Sequence, residues 1–70
     1  MNMLVLDRTG HTTHEWNRNI PEEVEAVRAL FNTLIGKGYR AFVGGEGGRR
    51  MDKFDPAAEE MTLVPQLQGG

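Results

Sequence analysis

The sequence predicts an α+β domain, a mixed sheet of four to five strands with one helix packed across one face. Three observations lead to it. The chain opens on a short apolar run, Met1 to Leu6, followed by a turn and a second β-prone segment. Its strongest periodicity is a stripe of apolar residues at three- and four-residue steps between Val24 and Ile35. After that stripe come short apolar runs separated by glycine- and aspartate-rich turns.

The first run, MNMLVL, is too short for a helix and rich in β-formers, so it reads as a strand. Asp7-Arg8-Thr9-Gly10 suits a type I turn whose glycine takes a positive φ. His11 to Trp16 sets threonines among larger side chains, ends on the tryptophan and completes a hairpin. After a polar connection, Pro21 fits the first turn of a helix, where a missing N–H costs nothing. Glu22, Glu23 and Glu25 put negative charge at the positive end of the helix dipole. Val24, Val27, Leu30, Phe31, Leu34 and Ile35 form the apolar stripe. Gly36 and Gly38 are expected to supply a left-handed stop, with Lys37 near the negative helix end.

Tyr39 to Val43 reads as a third strand and Gly44 to Gly48 as a flexible tip. Arg49 to Phe54 is expected to form a short fourth strand. Asp55 to Glu60 is turn chemistry with room for one helical turn, and Met61 to Val64 is the last strand. Pro65 closes that strand because it cannot donate to a ladder. The division is therefore a domain over residues 1–65 and a flexible tail over 66–70. The first and last strands are apolar enough to lie together at the sheet's centre. Joined by the long route through the helix, they would run parallel, and that arrangement is the β-grasp.

Composition narrows the function classes. Eight Lys and Arg against ten Asp and Glu, spread along the chain, give no basic stripe for nucleic acid. No apolar run reaches a membrane span, and no basic-then-apolar leader opens the chain, so a cytoplasmic protein is expected. There is no cysteine and no serine, which removes disulfides, thiolate metal sites and the common nucleophiles. No enzyme activity of its own, no bound cofactor and no metal are expected. His11 and His14 are three apart, and on a strand such residues face opposite sides, so they do not make a ligand pair. Gly44 to Gly48 with Arg49 and Arg50 lacks the Lys-Ser/Thr ending of a phosphate loop. Trp16 and Phe31 are placed in the core. Leu4, Leu6 and Val43 are the candidates for an apolar partner surface on the open face of the sheet, with the strand register left undetermined.

Met1 to Glu15, with its Thr9-Gly10 turn, resembles the opening hairpin of ubiquitin. The ending Glu59 to Gly70, EEMTLVPQLQGG, is similar to two relatives at once. Leu67-Gln68-Gly69-Gly70 resembles the Leu-x-Gly-Gly tail of ubiquitin. The acidic turn, apolar strand, Pro65 and Gly-Gly resemble the ending of prokaryotic sulfur carriers, such as the small subunit of molybdopterin synthase. Gln66 follows Pro65 where the carriers usually show a second proline, and Gln66 and Gln68 stand where the ubiquitin tail has arginines.

The resemblance implies a protein modifier or sulfur carrier that is a substrate rather than a catalyst. A partner enzyme of the ubiquitin-activating type would use ATP to adenylate the Gly70 carboxylate. The product would then be joined to a target protein or converted to a thiocarboxylate by a sulfur-transfer enzyme. Gly69, lacking a Cβ, would give clearance in a narrow site. Leu67 would be a recognition handle and Pro65 would stiffen the exit. Lys37 and Lys53, besides the N-terminal amine, would be the acceptors for further copies. The other reading is a non-catalytic binding or structural accessory module of a phage or bacterium, with an inert tail.

Overall fold

A computed structural model describes residues 1–44 and 48–65 of the chain. The elements are β1 (Asn2–Asp7), β2 (Gly10–Glu15), α1 (Pro21–Gly36), β3 (Arg40–Val43), β4 (Arg49–Met51) and β5 (Glu60–Val64). The strands form one mixed sheet in the order β2-β1-β5-β3-β4. The central pair β1–β5 is parallel, as the apolar character of both strands predicts. The remaining neighbours, β1–β2, β3–β5 and β3–β4, are antiparallel.

Side-chain alternation decides which residues face the helix. On β1 these are Met3 and Val5, and on β5 Met61 and Leu63; all four are buried. Across from them α1 contributes Val24, Val27, Phe31 and Leu34. Leu30 and Ile35, at the margins of the same stripe, are half-buried against the core. Sixteen helical residues cover roughly 24 Å, about the length of the sheet they lie on.

The helix begins without a side-chain cap at Ile20, and Pro21 occupies the first turn. Glu23 turns back to accept the backbone N–H of Asn17 at 2.9 Å. At the other end only one of the two expected glycines makes the stop. Gly36 remains helical, whereas Gly38 takes φ +98°. The N–H of Gly38 then reaches the Ile35 carbonyl and that of Tyr39 reaches the Leu34 carbonyl, both at 3.0 Å. This paired closure uses one left-handed residue, so a second glycine is unnecessary.

The expected fourth strand is too long. β4 stops at Met51, and Phe54 turns inward instead of continuing the ladder. It has to turn, because the chain must travel back along the sheet before β5 can run parallel to β1. Phe54 fixes that return through two ring contacts, 5.5 Å from Trp16 and 5.6 Å from Phe31 between centroids. Trp16 adds a hydrogen bond from Nε1 to the Pro56 carbonyl at 3.1 Å. Residues 55–59 form turns without a helical turn: Asp55 accepts the N–H of Ala57 on Oδ1 and that of Ala58 on its carbonyl.

Candidate functional site

The topology gives the sheet two distinct ends. Because β1 and β5 are parallel, both finish at the end where β3 starts. The Asp7–Gly10 turn, Lys37, Gly38, Arg40 and Pro65 therefore gather there. Lys53 lies in the bend after β4, next to Phe54, whose ring meets Trp16. Lys37, Arg40 and Lys53 are exposed, and Pro65 is half-buried directly after β5. Pro65 thus leaves the sheet at the end that also carries Lys37. The tail residues Gln66 to Gly70, including Leu67, Gly69 and Gly70, lie outside the described residues. So do Gly45, Glu46 and Gly47 of the glycine-rich tip.

At this end Asp7 makes the turn. Its Oδ1 accepts the N–H of Thr9 at 2.7 Å and the Thr9 hydroxyl at 2.8 Å. The hydroxyl bond first, and the backbone bond after it, hold the Asp7 carboxyl below its ordinary pKa. Gly10 completes the turn at φ +140°, as its position in the sequence predicts.

The face of the sheet away from α1 is a second candidate. Residues paired across strands share a face, so Thr13, Leu4, Thr62, Phe42 and Arg50 form one row across all five strands. Val64 and Arg40 form a parallel row with Leu6 and His11. Leu4, Leu6, Phe42 and Val64 are each half-buried, with Arg40 and Arg50 on the β3–β4 side. No described element covers this face.

Leu4 and Leu6 therefore stand where the sequence suggests, and Val43 does not. Val43 pairs with Met61 on the helix side, where it is 38% exposed near the end of the sheet. The parity of β3 is set by Ala41, which is buried and pairs with Leu63. Two positions on, Val43 must share its side, and Phe42 takes the open one. The sequence reading missed Phe42 and Val64. Side-chain size misleads here, because the smaller Ala41 occupies the buried position while the larger Phe42 does not.

The two histidines separate as predicted. His11 pairs with Leu6 on the open face and His14 with Met3 on the helix side. Among the described residues no group of three or more His, Cys, Asp or Glu is placed to hold a metal ion. None of the described helices is long and apolar enough to cross a membrane. No family model matches the chain, and neither a curated protein nor a solved structure does.

Proposed function

We propose that the chain is a β-grasp carrier of the ubiquitin-like kind, activated at the carboxylate of Gly70. The observation that supports this reading most is the placing of β5. It runs at the centre of the sheet, parallel to β1, and hands the chain to Pro65 at an exposed end just ahead of Leu67-Gln68-Gly69-Gly70. The strand order β2-β1-β5-β3-β4 under a single long helix supports the fold half of the proposal.

The chemistry follows from the weakness of a carboxylate as an electrophile. An oxygen of the Gly70 carboxylate attacks the α-phosphorus of ATP on the partner enzyme, and pyrophosphate leaves. The resulting acyl-adenylate is then attacked by a lysine amine of the target, which gives up a proton, or by sulfur at the sulfide level, and AMP leaves. The first product is an amide and the second a thiocarboxylate. The carrier supplies no side chain to either step. It supplies a narrow tail that an active site can enclose. Five residues beyond Pro65 reach at most about 17 Å, so the enzyme would have to dock close to the exposed end of the sheet. The scheme requires Gly70 to be the last residue of the active form, whether translated so or exposed by a protease, and places the protein in the cytoplasm with its ATP-using partner.

The test compares the tagged full chain with a chain lacking Gly69 and Gly70, both expressed in the native cells. Adducts that survive denaturation and vanish with the deletion are expected for a modifier. Unchanged biological function after the deletion would remove the tail from the account.

A specific observation keeps a second reading in view. Leu4, Leu6, Phe42 and Val64 lie together on a sheet face that no described element covers. On this reading the protein is a binding module and the tail is inert. Phe42→Arg should then abolish function while deletion of the two glycines leaves it intact.

A further inference from the structure

The two outer edges of the sheet are built differently. The β4 edge is three residues long, and two of the three are arginine. Shortness and positive charge are the usual protections of an edge against unwanted pairing. The β2 edge has neither. It runs six residues, GHTTHE, with no proline, no lysine or arginine and only Glu15 charged at its end. Every residue of it but His14 is exposed. Among the described residues, nothing pairs with its outer side.

The backbone groups on that outer side can be identified. Met1 and Trp16 exchange both of their backbone hydrogen bonds, each at 3.0 Å. In an antiparallel ladder such pairs alternate with unbonded ones. The register then makes Met3–His14 and Val5–Thr12 the next bonded pairs, with Asp7–Gly10 after them. The N–H and C=O groups of His11, Thr13 and Glu15 consequently point away from β1, toward open solvent.

We infer that β2 is a self-pairing edge, on which a second copy of this chain docks antiparallel through its own β2. Two conditions select the register. Residues facing each other must lie on the same side of the joined sheet, and outward-pointing groups must meet outward-pointing groups. Pairing Thr13 with the partner's Thr13 meets both conditions and sets His11 opposite the partner's Glu15, twice by symmetry. All the outward groups of β2 are then bonded. The two threonines are favourable cross-strand neighbours, and each His11 ring can donate an N–H to the facing glutamate carboxylate. Shifting by two residues, so that Thr12 faces the partner's Thr12, loses the histidine–glutamate pairs and leaves the groups of Glu15 unbonded.

The pairing closes on itself. Each copy spends its unprotected edge, and the joined sheet ends on the two arginine-bearing β4 strands. The symmetry axis is perpendicular to the sheet, so both open faces, with Leu4 and Phe42, lie on the same side. A single strand pair buries little surface, so the association is expected to be weak and concentration-dependent. It makes no use of residues 66–70 and stands or falls apart from the tail chemistry.

The experiment uses the full chain, by sedimentation and by amide hydrogen exchange, from micromolar to millimolar concentration. The expected weight-average mass climbs from 7.8 kDa toward twice that value. Amides of His11, Thr13 and Glu15 gain protection as concentration rises, while those of Thr12 and His14, already bonded to β1, do not change. Thr13→Pro removes the central outward N–H and should abolish the dimer. His11→Glu faces the partner's Glu15 with a like charge and should raise the dissociation constant about tenfold. Adding Glu15→Lys to it should restore association, which a variant that had merely unfolded would not do. A mass that stays at one protomer up to millimolar concentration overturns the inference and leaves the edge to a foreign strand. So does an association in which protection fails to alternate along β2, or one indifferent to His11→Glu.

Discussion

The two ends of the sheet are held by different means. At the end where β1 starts, the chain is tied to itself by long-range bonds. Met1 and Trp16 exchange backbone hydrogen bonds, Asn2 donates to Glu59 at 2.9 Å, and Gly44 donates to Glu60 at 2.8 Å. Trp16, only 3% exposed, anchors the returning segment through Phe54 and Pro56. At the opposite end, where Pro65 leaves, closure is local. The Asp7 turn bonds within itself, and the helix stop at Gly38 uses the last turn of α1. One end is stabilised by contacts distant in sequence and the other by short turns with the exposed Lys37 beside them.

The largest effect should come from the tied end. Trp16→Ala removes a buried ring, its contact with Phe54 and the donor to the Pro56 carbonyl, and should cost about 3–5 kcal/mol in urea unfolding. A 70-residue domain has little stability in reserve, so this variant is expected to be partly unfolded at 25 °C. Gly38→Ala, at the exposed end, forces a Cβ into a left-handed residue and should cost about 1–2 kcal/mol by the same assay. Equal costs for the two variants would break the comparison between the ends.

The smallest effect belongs to the Asp7 turn and is set by pH. The folded state lowers the Asp7 pKa, so the turn's contribution is present above the ordinary carboxylate range and is lost as pH falls through the lowered value. Asp7→Ala should therefore destabilise the protein slightly at pH 7, by an amount that shrinks as pH falls through the lowered value. A difference between the two proteins that persists unchanged at low pH would mean that the turn does not depend on the charge.

Much of this architecture was legible in the residues. The helix stripe fixed which side of α1 meets the sheet, and Pro21 and Gly38 mark its two ends. The parallel central pair followed from the apolar character of two strands far apart in sequence. What escaped was parity and the path of the return segment. A strand such as MNMLVL is apolar on both faces, so alternation cannot say which face is buried until a helix covers Met3 and Val5. Ala41 and Phe42 reverse the order that side-chain size suggests, which put Val43 on the wrong face and hid Phe42. Phe54 continued a β-prone run in sequence, yet it is held by rings contributed from residues 16 and 31. The tail was read from its motif alone, since Leu67, Gly69 and Gly70 lie outside the described residues.

The carrier chemistry is tested most directly by mass spectrometry of the C-terminal peptide, taken from tagged protein recovered from its native cells. A chain lacking Gly70 serves as the control. The account predicts that a fraction of the full chain ends in an amide to a target lysine, or in a carboxylate with one oxygen replaced by sulfur, and that the control ends in neither. A tail that is always a plain carboxylate, under conditions where the protein is demonstrably active, would contradict it.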